Sequence, residues 1–556
     1  MDQDSTARTD RQLAFIMLGA FVLIFVPALF SRGPWHVDDL RYVEAARQMG
    51  EYGDYLVPRL NGEVYGEKPP GYSWAVVGIH TVTRADYLVS ARIVAALTAL
   101  LTGLMLVHLA KLLFKSRSVG WMAAGFLWSF VFILDRGSRS LIDSFLYLWT
   151  TLGVITLLHA ALAENWKARI PWIAATVGAL GYGCIVKGPV ALAIPALGIL
   201  GLGLTWKGRK GVSFTTLVVG ALGGGLATLV WLLLASNQVG DWYLERLLYK
   251  QSAGRAVESF HHAKPIWFYL SVILPVALPW IIFLPGSVRA AWKMRHAPEA
   301  RAALGLLAWA GAIFLFFSII SGKRSGYVLP LFPPLALALA WGITRMQTVQ
   351  ERLWLRWPAS VMVYLAPLAG VLMAFAALTL GLLSPEAIDA FPQEVAEVLG
   401  GISNLGILVL AVGGTVAALW GGMLIPLIRR QSAATALALL VPMIGIFMSA
   451  IHLGVIPALD SARSGATFGE AVNENWNRDE KLVVLGSQKD GIVTYYCNVQ
   501  SVESVSDVDL QKTTGTLWVV TLRKDWDRLP EPFRLPFDEY ASAEFNSKEY
   551  VLLRRP

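Results

Sequence analysis

"RQLAFIMLGAFVLIFVPALFSRGPW" (residues 11–35) runs directly into "HVDDLRYVEAARQMGEYGDYLVPRLNGEVYGEKPPGYSW" (residues 36–74). The first stretch carries about 20 nearly uninterrupted apolar residues, enough to cross a bilayer and too long for the apolar core of a cleaved leader. No small-residue cleavage site follows, so it reads as a retained first helix. The second stretch is dense in carboxylates, cations and tyrosines. A polar loop of this kind next to a membrane helix is where site chemistry is expected.

The rest of the chain has the same character. Of 556 residues, 55% are hydrophobic and only 15% charged, and the mean hydropathy is +0.53, a composition foreign to soluble globules. The net charge of +8 is not gathered into a basic arm or stripe, which excludes nucleic acid as a partner. Two cysteines, Cys184 and Cys497, lie far apart without metal-ligand spacing, so neither a disulfide scaffold nor a structural zinc finger is expected.

Apolar segments of spanning length fall near 12–31, 88–113, 117–134, 141–163, 168–184, 187–205, 213–235, 265–287, 301–320, 326–344, 358–383, 401–428 and 433–456, predicting about thirteen transmembrane helices. Lysine and arginine recur in alternate loops: Lys111, Lys115 and Arg117; Lys167 and Arg169; Lys207, Arg209 and Lys210; Arg289, Lys293 and Arg295; Arg345, Arg352 and Arg356; Arg429 and Arg430. These share a side with Arg8 and Arg11, which the positive-inside rule makes the cytoplasm. Loop 32–87, "DRGSRS" (135–140), "VKGP" (186–189), loop 236–264, "SGKRSG" (321–326), loop 384–397 and everything after 456 are then external.

Residues 1–456 thus read as a membrane domain and 457–556 as a small external α/β domain. In the latter, "SARSGATFGEAVNENW" is expected as a helix, and "KLVVLGS", "GIVTYYCNVQSVESV", "GTLWVVTLR" and "KEYVLLRR" as strands. There is no internal repeat of the kind that builds transporters.

In the first loop, Val37, Leu40, Val43, Ala46 and Met49 recur every three residues, which predicts a helix along the membrane surface with one face in lipid or protein. Asp38, Arg41 and Tyr42 share another face, within reach of one small ligand; Asp38 or Asp39 capping the helix is the plainer alternative. Glu67 and Lys68 precede Pro69 and Pro70, which restrict the backbone around them. A surface turn explains the same four residues. Asp143, Lys187, Lys323 and Tyr327 fall at the external ends of spans. Ionisable groups at such depth usually face a protein-lined cavity; lysines can instead snorkel to the interface.

"DDLRY", "GDYLVPRLNGEVYGEKPPGYSW", "LIDSF", "KGPVALAIP", "HHAKPIWFYL" and "GYVLPLFPPLALALA" occur in this order. Together they resemble the bacterial lipid A aminoarabinose transferases and their relatives in the protein mannosyltransferase superfamily, membrane glycosyltransferases of the GT-C fold. The resemblance implies an enzyme of the bacterial inner membrane, with its active site and C-terminal domain facing the periplasm. It would transfer a sugar, such as an amino-pentose, with inversion from an undecaprenyl or other polyprenyl phosphate donor to lipid A or another envelope glycolipid. Protein hydroxyls, as in protein O-mannosyltransferases, are the alternative acceptor; a transporter or lipid flippase is the third reading.

The resemblance further implies catalytic roles for Asp38 and Asp143, and places Arg41, Tyr42, Tyr65, Lys68, Lys187, Lys323 and Tyr327 around the substrate and its phosphate. It also implies that a divalent metal (Zn, Mg or Mn) can lie between Glu67 and His262, with His261 as the alternative ligand because the histidine is doubled here.

Overall fold

The computed structural model describes residues 3–205, 214–247, 264–348, 352–430, 432–486 and 491–556. Among these, ten helices are long and apolar enough to cross a membrane: Ala7–Leu29, Tyr87–Phe114, Ile142–Leu162, Trp166–Lys187, Thr215–Val239, Pro298–Ile319, Ser325–Gln347, Leu353–Leu380, Asn404–Arg429 and Ala433–Gly454. Several start at side-chain caps: Asp86 accepts from the Leu88 amide at 2.7 Å, Asn165 from Ala168 at 3.0 Å and Ser403 from Gly406 at 3.1 Å, each satisfying an amide the helix cannot.

The other three expected spans are helical, but two are broken and one is short, which corrects the count of thirteen among the described residues. Segment 117–134 breaks at Phe130, whose φ −62° and ψ 136° are extended. Segment 265–287 is two helices, Phe268–Val276 and Trp280–Lys293, meeting at 102° across Pro275 and Pro279; proline removes a helical hydrogen bond and clashes with the preceding turn. Segment 187–205 holds the shorter apolar helix Val190–Gly203. Hydropathy registers apolar length but not these breaks.

On the outer helices, large apolar side chains such as Leu365, Leu372, Phe375, Leu405 and Leu408 are exposed, the surface expected of a protein whose solvent is lipid. The Ser325–Gln347 helix, by contrast, is almost wholly buried and forms the centre of the bundle.

The expected surface helix forms over Val37–Tyr52, but it does not lie in lipid. Val43, Ala46 and Met49 pack into the core of the bundle, while Leu40 packs with Phe468, Val472 and Trp518 of the C-terminal region. Every residue from Asp39 to Met49 except Arg41 is buried, because protein covers the helix on both sides.

Two short strands, β1 (Arg59–Leu60) and β2 (Glu63–Val64), form a hairpin in the same loop. The C-terminal strands are β3 (Lys481–Leu485), β4 (Glu503–Val505), β5 (Leu517–Leu522), β6 (Asp538–Phe545) and β7 (Lys548–Arg555). They form one sheet in the order β4-β3-β5-β7-β6, parallel across β4-β3-β5 and antiparallel across β5-β7-β6. Alternate residues separate its faces: Val484, Trp518 and Leu552 point toward the first-loop helix, and Val483, Val519 and Val551 toward Trp526 and Leu529, as the two-residue period of a strand requires.

Two strand expectations change. "GIVTYY" is the helix Ile492–Tyr496, with Ile492, Val493 and Thr494 buried consecutively rather than alternately, and only Glu503–Val505 of that segment is a strand. β6 has the burial pattern of an edge strand with most side chains exposed, so its composition carries little strand signal. The helix expected over 461–476 is two, Ile456–Arg463 and Ala466–Asn475, parted at Ser464 and Gly465.

Candidate active site

The helix Val37–Tyr52 begins at His36, which caps it without a side-chain hydrogen bond, so neither Asp38 nor Asp39 is the cap. Both acids sit in the first turn, where the helix dipole favours negative charge, and they point to different partners. Asp39 is buried and accepts from Arg139 Nε at 3.0 and 3.1 Å, tying the helix to the 137–141 turn. Asp38 accepts from Arg41 Nη1 at 3.0 Å and lies 3.5 Å from Arg324 Nη1. Asp38 is thus the acid that faces open space.

That space is a cavity of about 630 Å³. The first-loop helix contributes His36, Asp38, Arg41 and Tyr42 to its wall, and the turn before the next helix contributes Lys68. Arg136, Arg139 and Asp143 enter from the short loop and the start of the Ile142–Leu162 helix, and Lys187 from the end of Trp166–Lys187. Lys323, Arg324 and Tyr327 come from the turn that opens the central helix, and Asn546 and Lys548 from the β6-β7 turn. Eight lysines or arginines on this wall face two carboxylates, so the cavity carries a strongly positive field.

Within the wall, Lys187 Nζ pairs with Asp143 Oδ1 and stands 4.5 Å from the centre of the Tyr327 ring, a cation–π distance. Gly188 follows with φ 86° and ψ −162°, a conformation essentially reserved for glycine; it ends the helix so that Lys187 is delivered at its tip. A Cβ on Gly326 would lie 3.1 Å from Asp143 Cγ, so the missing side chain lets the central turn close on that carboxylate. Lys323 is buried and donates to the carbonyls of Ile320 at 2.6 Å and Lys264 at 3.0 Å. Arg136 donates to Ser325 Oγ at 3.2 Å, and the Tyr269 hydroxyl to the Arg324 carbonyl at 3.1 Å, fixing the turn that carries Arg324.

Tyr42 is buried, and its hydroxyl pKa is pushed well above the usual value, first by burial and then by the neighbouring Tyr65 and Asp38. It stays a neutral hydrogen-bond donor. Tyr65 is also buried, with its pKa raised by burial and lowered in part by the neighbouring Arg41, and it is not among the residues of the cavity wall.

Glu67 lines a second cavity, of about 190 Å³, together with Lys68 and Lys187. The remainder of this cavity is largely apolar, with Cys184, Pro189, Leu192, Leu229, Trp231 and Leu232. Lys68 and Lys187 line both cavities, so the cationic and apolar spaces are neighbours across these two residues.

Asp38, Arg41, Tyr42, Lys68, Asp143, Lys187, Lys323 and Tyr327, singled out from sequence, therefore share one cavity, whereas Tyr65 and Glu67 lie off its wall. Glu67 Oε1 is 3.8 Å from Arg246 Nη2. His261 and His262 lie outside the described residues. Among the described residues, no group of three His, Cys, Asp or Glu side chains is placed to hold a metal ion; the expected pairing of Glu67 with His262 or His261 lies outside that set.

Sequence reading missed Arg136, Arg139, Arg324, Asn546 and Lys548. For the first three a signal existed: they are cations in short loops on the side that the positive-inside rule leaves poor in cations. For Asn546 and Lys548 there was none, since only the docking of the C-terminal region brings them here.

A family model described as dolichyl-phosphate-mannose-protein mannosyltransferase matches residues 12–294. An undecaprenyl phosphate-alpha-4-amino-4-deoxy-L-arabinose arabinosyl transferase 2 of Proteus mirabilis (strain HI4320) is 31% identical over 334 residues, 59% of this chain and 58% of that protein. An undecaprenyl phosphate-alpha-4-amino-4-deoxy-L-arabinose arabinosyl transferase of Yersinia pestis (strain Pestoides F) is 30% identical over 322 residues, 58% of this chain and 57% of that protein. The aligned part thus spans somewhat more than half the length of these curated relatives. Among solved structures, ArnT from Cupriavidus metallidurans bound to undecaprenyl phosphate superposes with a TM-score of 0.72 at 20% identity, covering 98% of both chains. At that identity the likeness establishes the fold alone, a bundle of membrane helices with a small C-terminal sheet.

Proposed function

Because the chain belongs to the dolichyl-phosphate-mannose-protein mannosyltransferase family, we propose that it is an inverting membrane glycosyltransferase that moves a sugar, such as an amino-pentose, from an isoprenoid phosphate to lipid A or another envelope glycolipid. The observation that carries this reading is that Lys68 and Lys187 line both a cationic cavity and an apolar one. An isoprenoid phosphate sugar has the matching three parts: an apolar chain for the smaller cavity, a phosphate for the two amines and a sugar for the larger cavity.

In the reaction, an acceptor oxygen attacks the anomeric carbon as the bond from that carbon to the phosphate oxygen breaks. The bonding electrons leave with the isoprenoid phosphate, which gains negative charge. Lys68, Lys187 and Arg41 stand ready to meet that charge without reorganising, the kind of preorganised electrostatics that supplies much of an enzyme's rate. Asp38, held by Arg41 and Arg324, orients the attacking oxygen and takes its proton when the acceptor is an alcohol. A phosphate acceptor arrives without that proton, and Asp38 then serves to organise the arginines.

The loops that build the cavity lie on the side opposite the cation-rich loops, which supports a periplasmic site in a bacterial inner membrane. A site on that side draws on lipid-linked sugars, since nucleotide sugars are cytoplasmic.

The test is transfer by purified protein in lipid nanodiscs, with a panel of isoprenoid phosphate sugars as donors and lipid A or peptides as acceptors, and with Asp38→Ala and Lys68→Ala alongside. Transfer to lipid A that both substitutions abolish is the expected result. Undiminished transfer in both would remove the cavity from the chemistry, glycosylated peptide would change the acceptor to protein, and no transfer by the native chain would overturn the enzyme.

A further inference from the structure

The β6-β7 turn is the part of the cavity wall that comes from the C-terminal sheet, and the donor chemistry gives it no role. Phe545 pairs with Lys548 across a two-residue turn, and both turn residues have positive φ, Asn546 at 54° and Ser547 at 58°. This is the pattern of a type I′ hairpin, whose twist matches that of the strands and leaves little slack. Asn546 Oδ1 lies 3.0 Å from His36 Nδ1, so the turn is pinned to the residue that starts the helix of Asp38 and Arg41. It brings Lys548 to the cavity with an exposed side chain.

We propose that Lys548 binds an anionic group of the acceptor, so that the C-terminal sheet selects phosphorylated glycolipids through the charge it adds to the wall of the cationic cavity. This deepens the glycosyl-transfer reading and rests on it for the identity of the acceptor. The donor phosphate belongs at Lys68 and Lys187, the two lysines that line both cavities. Lys548 lines the larger cavity and is not among the residues that line the smaller, apolar one, so it is not one of the two lysines assigned to the donor phosphate. A lysine there acts as a compact, mobile point charge, suited to a headgroup phosphate that arrives in more than one pose. Its removal takes away an acceptor contact while leaving the donor contacts in place.

The experiment is equilibrium binding to full-length protein in nanodiscs at low ionic strength. Three probes are used: lipid A with its phosphates, the same lipid A after phosphatase treatment, and undecaprenyl phosphate. Lys548→Gln is compared with Lys548→Arg and with Lys512→Gln, an exposed lysine remote from the cavity wall, and thermal unfolding checks that each variant folds. Lys548→Gln is expected to weaken phosphorylated lipid A about three- to tenfold, the scale of one partly screened charge contact, with Arg retaining most affinity and Lys512→Gln unchanged. The dephosphorylated lipid and undecaprenyl phosphate should bind every variant alike.

Equal loss for undecaprenyl phosphate would place Lys548 on the donor and overturn the proposal, as would native affinity of Lys548→Gln for phosphorylated lipid A or no binding of that lipid by the native chain. Selective loss of binding alongside absent sugar transfer would leave Lys548's role standing and bring down the glycosyltransferase reading instead.

Discussion

Asp38, in the first turn of the helix Val37–Tyr52, lies 3.5 Å from Arg324 in the turn that opens the central membrane helix. The pair joins the external loop to the core of the bundle across the mouth of the cavity, and Arg41 holds the other carboxylate oxygen. An acid flanked by two guanidinium groups is well placed to hold those groups toward an incoming anion.

The role of Asp38 therefore depends on the acceptor. With an alcohol acceptor, Asp38→Asn should lower kcat by about 10²–10⁴, the usual worth of a general base. With a phosphate acceptor the loss should be smaller, about tenfold, because no proton has to be removed. Arg324→Ala should follow the phosphate case. Steady-state kinetics on the two acceptor types separate these outcomes, and identical losses on both would mean that Asp38 acts as a structural strut.

Asp143 and Lys187 form an ion pair at the ends of neighbouring membrane helices, and either single substitution leaves a charge without its partner. Asp143→Asn and Lys187→Met should each lower the unfolding temperature, and the double variant should recover part of the loss, with a coupling of about 1–3 kcal/mol for groups in contact. Additive losses would show that the pair does not couple. Gly326→Ala, which sets a methyl group 3.1 Å from Asp143 Cγ, should reduce activity more than stability by turning that carboxylate.

Arg47 docks the C-terminal region. Buried in the first-loop helix, it bonds Glu44 at 2.7 and 2.8 Å, Glu51 at 2.7 Å and the carbonyls of Val499 at 2.9 Å and Thr494 at 3.2 Å. Arg47→Met should cost about 3–5 kcal/mol, since it strands the buried Glu44 carboxylate. Limited proteolysis after residue 456 should accelerate in step. A variant as protease-resistant as the native chain would mean that apolar packing around Leu40 alone holds the sheet in place.

Sidedness can be read with thiol reagents because Cys184 and Cys497 are both buried and should contribute little background. In intact spheroplasts an impermeant maleimide should label Lys512→Cys and spare Lys167→Cys, both positions being exposed. The reverse pattern would turn the protein over in the membrane and place the cavity on the cytoplasmic side.

Much of this was legible in the linear chain. A membrane span is an apolar run of fixed length, and the side of each loop follows from where cations gather, so the helices and the face carrying Asp38, Lys68, Asp143, Lys187, Lys323 and Tyr327 could be read directly. Breaks at Phe130 and across Pro275 and Pro279 were harder, because hydropathy sums composition and ignores backbone direction. The edge strand β6 escaped for a related reason: with most of its side chains in water, it had no apolar alternation to announce it.

What the sequence by itself determined is therefore the membrane architecture and the residue types gathered on one face, since both follow from local periodicity and charge. Only the tertiary structure decided which neighbour of a pair serves the site. Asp38 faces the cavity because Arg139, a hundred residues away in the chain, claims Asp39, and no local spacing encodes that choice. The same holds for Asn546 and Lys548, which reach the cavity because Leu40 and Arg47 of the first loop are buried against the C-terminal region. Long-range burial, with its demand that every buried charge find a partner, set the final geometry of the site.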